Sequence, residues 1–204
     1  MRAIAIFIAG LAVSLTLAAC NKPAATVSSE DMTLGSATAK VTMIEYASVS
    51  CPHCARWNNE VFPDFKKKYI DTGRVHYVLR EALTGDPSIA AAGFLTARCA
   101  GKDKYFQVVD AIYHALPEME TGGQPKPILL RIAQSAGLSE TQFNACITNE
   151  KALTALQARW NKYVTDDKIN GTPTFNINGK VYDKGEMPLA DLDAAVLEAE
   201  KGKP

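Results

Sequence analysis

Two cysteines separated by two residues, in Cys51-Pro52-His53-Cys54, come just after a β-branched, apolar run from Lys40 to Tyr46. That run reads as a buried strand. Beyond the cysteines, Trp57, Val61, Phe62, Phe65 and Tyr69 recur on one helical face, and Gly73 supplies a stop signal. The cysteine pair is thereby held where a strand hands over to a helix. Val75 to Leu79 reads as the next strand. The three segments make a β-α-β unit, which demands two parallel neighbouring strands and a right-handed crossover. Pro63 falls inside the helical pattern, so a kink or break is expected near Val61 or Phe62.

Downstream the pattern changes. Asp86-Pro87 is an N-cap followed by proline at the first helical position. From there to about residue 165 the signals are helical. An Ala-rich helix runs from Ile89 to Cys99, and a second presents Tyr105, Phe106, Val109, Ile112, Tyr113 and Leu116 on one face. A loop is expected over 117–127, followed by a helix over 128–136. Ser139 and Gln142 form a capping-box signature, and Leu153, Leu156, Trp160 and Tyr163 mark the last long helix. Strand signals return at Thr174 to Ile177, Asn178-Gly179 is a hairpin turn, and Lys180 to Tyr182 the return strand. Leu189, Leu192, Val196 and Ala199 close the chain with an amphipathic helix. The expected class is α/β: β-α-β, a helical insertion over about 86–165, then β-β-α.

The N-terminus is a different kind of sequence. Met1-Arg2 is positive, residues 3–17 are apolar, and Leu17-Ala18-Ala19-Cys20 follows. Charge, length and small residues read as a secretory signal over 1–19. The ending resembles a bacterial lipobox, which implies cleavage before Cys20 and its acylation; ordinary secretion with Cys20 idle is the alternative. An uncleaved anchor is disfavoured, because the run is short for a spanning helix of about 20 residues. Residues 20–30 have the composition of a flexible tether, and 31–204 form the folded domain. The address is outside the cytoplasm, where disulfides persist. With 22 basic and 22 acidic residues and no long basic run, the chain carries no nucleic-acid footprint. Lys66-Lys67-Lys68 reads as a solvated helix face.

Three readings compete for Cys51 and Cys54: a redox pair, metal ligands, or buried thiols. A structural zinc site needs four ligands. No second Cys-x-x-Cys or paired histidine appears, and haem attachment fails because residue 55 is Ala. The redox reading has a mechanism. A thiolate at a helix N-terminus faces the positive end of the dipole and free N–H groups, and His53 adds positive charge when protonated. Each unit by which the thiol pKa falls stabilises the thiolate by about 1.4 kcal/mol. A large drop favours the dithiol and makes the disulfide a strong oxidant. Cys51, ahead of the helix, is expected to be exposed and attacked; Cys54, a turn in, is expected to be buried and to resolve mixed disulfides.

Glu45 is out of character in its strand, since a buried carboxylate is costly unless neutral, paired or functional. A carboxylate at a wet sheet edge is the alternative. Cys99 and Cys146 sit beside apolar helical residues and could be two buried thiols. In an oxidising compartment a disulfide stapling the insertion is favoured, worth about 4 kcal/mol in the chain-entropy model. His76 and His114 read as packing or surface residues.

The β-α-β unit, Cys51-Pro52-His53-Cys54, Glu45 ahead of it, the helical insertion and Gly171-Thr172-Pro173 leading into a hairpin together resemble the DsbA-like family of periplasmic thiol-disulfide oxidoreductases. The resemblance covers essentially all of residues 31–201 and implies a thioredoxin fold. It implies a cis peptide before Pro173, beside Cys51, with Thr172 and Pro173 offering a strand edge to a substrate backbone; without it, Pro173 would read as merely opening a strand. It implies that Glu45 helps move protons at the Cys54 sulfur. It also implies no cofactor beyond the Cys51–Cys54 disulfide, substrate proteins with free thiols as partners, a DsbB-type membrane reoxidant, and a periplasmic protein held at a membrane by its lipid.

The expected activity is donation of that disulfide to protein thiols. An isomerase or reductase of the same fold is the alternative within the class, since Thr before the proline occurs among both. Against an isomerase, the stretch between tether and first strand is too short for a dimerisation domain. From another class, a lipoprotein could hold copper or zinc with Cys51 and Cys54.

Overall fold

The structure, a computed structural model, describes residues 26–202; the signal peptide and the acylation at Cys20 expected from sequence lie outside the described residues. The elements in chain order begin with β1 (Met32–Leu34), β2 (Val41–Ala47), α1 (Pro52–Glu60), α2 (Phe62–Phe65) and β3 (Val75–Glu81). Five helices follow: α3 (Pro87–Cys99), α4 (Lys102–Glu120), α5 (Pro125–Ser135), α6 (Glu140–Ile147) and α7 (Glu150–Thr165). The chain returns to the sheet with β4 (Thr174–Ile177) and β5 (Lys180–Tyr182) and ends in α8 (Leu189–Lys201). This is a thioredoxin fold with a helical insertion between β3 and β4.

The sheet runs β1-β3-β2-β4-β5, with β2 and β3 parallel and the other pairs antiparallel. The β-α-β unit is therefore the centre of the sheet. Alternation along β2 decides what faces what. Val41, Met43 and Ala47 enter the main core with α1 and α4, whereas Ile44 and Tyr46 face a smaller cluster with Tyr163 and Ile169. Glu45 shares the main-core parity, opposite Leu79 of β3 and Phe175 of β4.

Two features depart from the sequence reading, and a third, the break near Val61 expected from Pro63, is found where it was placed. β1 was not expected; at three residues it is too short to show an alternation, yet it covers the free edge of β3. The first helix breaks at Val61 and continues as α2, then as a single π-helical turn over Lys66–Ile70. Pro63 has no N–H with which to continue the α1 ladder. The loop expected over 117–127 shrinks to residues 121–124, because α4 continues through Pro117 to Glu120. That proline forfeits one helical bond, while buried Leu116 and Met119 hold the last turn on the core.

The insertion is fastened in two ways. Cys99 at the end of α3 and Cys146 in α6 are joined by a disulfide with a Cα–Cα distance of 6.3 Å. The second fastening is a carboxylate. Glu81, the last residue of β3 and 1% exposed, accepts from Arg98 Nε of α3 (2.6 Å), Arg159 of α7 (2.8 Å) and Tyr105 Oη of α4 (2.9 Å). A buried charge is tolerated when it is fully paired in this way.

Candidate active site

Cys51 caps α1 in an extended conformation, and Pro52 follows at the first helical position, where its lack of an N–H costs nothing. Behind it, Ser48 and Ser50 each place a hydroxyl 2.8 Å from the Thr84 carbonyl, and Ser50 Oγ lies 2.9 Å from the Asp86 carbonyl. These bonds press the 82–86 loop against the cysteine turn. Gly85 has φ +74°, and a Cβ there would sit 2.5 Å from the Ser50 carbonyl oxygen, so the approach needs glycine on both counts. The loop in turn sets Thr84 Oγ1 2.6 Å from Thr172 Oγ1. Thr172 precedes Pro173 through a cis peptide bond, and its carbonyl lies 3.5 Å from Cys51 Sγ.

The two thiols are driven apart. The Cys51 pKa is lowered to about 5, first by hydrogen bonding from the Cys54 thiol, then by the Thr172 hydroxyl and the N–H groups of Cys54 and His53, against the opposing effect of burial. Cys54, with no exposed surface, is pushed well above its usual range, chiefly by burial. Near neutral pH the arrangement holds a thiolate at Cys51 and a thiol at Cys54. Glu45 is 2% exposed, and burial pushes its carboxyl up to about 8, opposed by a hydrogen bond from Tyr77 Oη and aided by charge on Cys51. A protonated carboxyl therefore shares the interior with the two sulfurs.

Two expectations are corrected. Cys51 was expected to be exposed and is only 7% exposed, because the cis turn and the 82–86 loop close over it; it remains the more accessible of the pair. His53 was expected to depress the Cys51 pKa through imidazole charge. Instead its ring Nδ1 lies 2.7 Å from Glu186 Oε1, which also takes a 2.9 Å bond from Arg56, and its effect on Cys51 comes through its backbone N–H. Trp57 Nε1 donates to the Met187 carbonyl at 2.9 Å, so the loop before α8 docks on α1 through adjacent residues.

Glu45, Cys51, Pro52, His53, Cys54, Thr172 and Pro173 thus converge on one site, whereas Cys99 and Cys146 lie in the insertion. His76 is buried in β3 and His114 is exposed, its Nδ1 3.0 Å from the Asp110 carbonyl. Among the described residues no group of three or more His, Cys, Asp or Glu is placed to hold a metal ion. The sequence reading missed Ser48, Ser50, Thr84, Tyr77 and Glu186. None sits in a motif, and Glu186 meets His53 across 133 residues of chain.

Comparison with known proteins agrees with this geometry. Residues 27–196 match the family described as Thioredoxin. A Rickettsia conorii protein provisionally named a protein-disulfide oxidoreductase is 33% identical over 181 residues, covering 87% of this chain. The chain spans 64% of that relative's length. The crystal structure of alpha-DsbA1 from Wolbachia pipientis superposes with a TM-score of 0.74 at 26% identity, covering 86% of this chain and 93% of that one. A protein-disulfide isomerase from Novosphingobium aromaticivorans shares the fold at 19% identity and a TM-score of 0.70, covering 83% of this chain and 97% of its own.

Proposed function

This chain belongs to the thioredoxin family, in its DsbA-like group, and from that premise we propose that it is a thiol-disulfide oxidoreductase that donates the Cys51–Cys54 disulfide to protein thiols. The observation that carries the direction is the opposed acidity of the two cysteines. Lowering the Cys51 pKa to about 5 stabilises the reduced, thiolate form, so electrons flow toward this protein and oxidation toward its partner.

In the forward step a substrate thiolate attacks Cys51 Sγ. The Cys51–Cys54 bond breaks, a mixed disulfide forms at Cys51, and the electron pair goes to the Cys54 sulfur, which takes a proton from Glu45. A second substrate thiolate then attacks the mixed disulfide, releasing oxidised substrate and leaving Cys51 as a thiolate. The Thr172–Pro173 turn offers the substrate backbone its docking edge beside Cys51. Thr84 supports this edge from behind. The couple needs no cofactor beyond its own disulfide. The Leu17-Ala18-Ala19-Cys20 ending supports export and lipid attachment at Cys20, with substrate proteins and a DsbB-type membrane reoxidant as partners outside the cytoplasm.

The test is the potential of the Cys51–Cys54 couple, measured by equilibration with glutathione buffers. A value on the oxidising side of about −200 mV is expected. A value near the thioredoxin level of about −270 mV would assign a reductase direction instead.

A further inference from the structure

Tyr113 in α4 is 2% exposed, and its hydroxyl has no hydrogen-bond partner among the described residues. The other buried polar atoms in that condition are the Nε atoms of Arg80 and Arg159, whose guanidinium groups are already bonded through their terminal nitrogens. Tyr113 is therefore the one side chain in this group whose only polar atom is left over. Phenylalanine would fill the same space without stripping a hydroxyl of water.

Three sets of contacts give the register of α4 against the chain around the cysteines. Phe62, just past α1, stacks on Tyr77, which in turn meets Phe106 of α4. Asn58 Nδ2 donates to Asp110 Oδ1 at 2.9 Å. Val49, just before the cysteines, and Ile112 both lie against Gly93, within 2.7 and 3.3 Å of where a Cβ would stand. As the chain is followed backward from Phe62 through Asn58 to Val49, the α4 residues that share a neighbour with it or bond to it directly advance from Phe106 through Asp110 to Ile112. That order is antiparallel, and extending the Asn58–Asp110 pair by one turn along each helix brings Cys54 into register with Tyr113. Glu45 faces the same core from β2. The electrostatics agree: after burial itself, charges on Cys54 and Glu45 head the influences that raise the Tyr113 pKa, and the phenol keeps its proton.

We propose that Tyr113 Oη–H donates the hydrogen bond that receives the Cys54 sulfur when the Cys51–Cys54 bond opens. The inference rests on the exchange reaction proposed above. As the substrate sulfur bonds to Cys51 Sγ, the electron pair of the broken S–S bond collects on Cys54. Burial makes that sulfur a poor leaving group, and a preorganised donor lowers the cost of the charge that develops there. Glu45 then delivers the proton. Tyr113 transfers nothing and returns to its original state. In the reverse direction the same bond favours the Cys54 thiolate that must attack the mixed disulfide.

The test compares oxidised wild type with Tyr113→Phe in rapid-mixing reactions with a model dithiol peptide across pH 5–9. A hydrogen bond to a developing charge corresponds to a fall of about tenfold in the second-order rate. Thermal unfolding of the oxidised protein and the pH titration of the Cys51 thiolate should remain those of wild type. A rate within twofold of wild type overturns the proposal, as does a fall matched by lost stability of the oxidised form, which would mark a packing residue. Wild type that exchanges no thiols at all would instead overturn the oxidoreductase reading itself.

Discussion

Glu45 and Cys51 titrate in opposite senses within one site, and each sense has a consequence for pH. Glu45 has a folded pKa raised from 4.5 to about 8. Its contribution to stability is therefore complete below its unfolded pKa and is lost as pH rises through about 8. Glu45→Gln keeps an acceptor for Tyr77 but cannot ionise. It should stabilise on the order of 4 kcal/mol at pH 8 and leave stability at pH 4 nearly unchanged, read from denaturant unfolding of the protein at the two pH values. A gain equal at both pH values would mean that the carboxyl is not held neutral. Glu45 was legible in the sequence because a carboxylate in an apolar strand is anomalous on local chemistry alone. Glu186 was not, because nothing near it in the chain marks a half-buried carboxylate as the partner of a distant histidine.

At the scale of elements, the site depends on a loop more than on the helix that carries the cysteines. The 82–86 loop is where Ser48, Ser50, Thr84 and Gly85 join β2, β3 and the cis turn. Gly73 and Gly85 share φ +74°, but a Cβ at Gly73 meets nothing within 4 Å, whereas at Gly85 it meets the Ser50 carbonyl. Substituting alanine at each separates backbone strain from contact. Gly73→Ala should cost about 1 kcal/mol of stability and leave exchange intact. Gly85→Ala should cost at least twice as much and slow exchange, as Thr84 is carried away from Thr172; thermal unfolding and a dithiol-oxidation assay read both. The sequence showed strands and helices wherever periodicity spanned several residues, which is why β2, β3, α3 and the Ser139–Gln142 cap were legible. It did not show β1, whose three residues carry no period, or the continuation of α4 past Pro117, where tertiary burial outweighs a local breaker.

For the molecule as a whole, the Cys99–Cys146 disulfide closes a separation of 47 residues within the insertion. Replacing both cysteines by alanine should lower stability by about 4 kcal/mol in the chain-entropy model, measured by denaturant unfolding, while the potential of Cys51–Cys54 stays within error. A shifted potential would show that the insertion reaches the redox pair. The order of elements and the place of the insertion were legible from pattern alone. What joins insertion to sheet was not, because Glu81, Arg98, Tyr105 and Arg159 each look unremarkable until the fold collects them. That junction limits what could be grafted here. Three helices meet the end of β3 through one carboxylate, so a transplanted insertion of the right length would still leave Glu81 as a bare buried anion. To fit, it would have to bring guanidinium and phenol groups to the same point. Compatibility between this sheet and another helical cap is thus a matter of charge placement at a single residue, with loop length secondary.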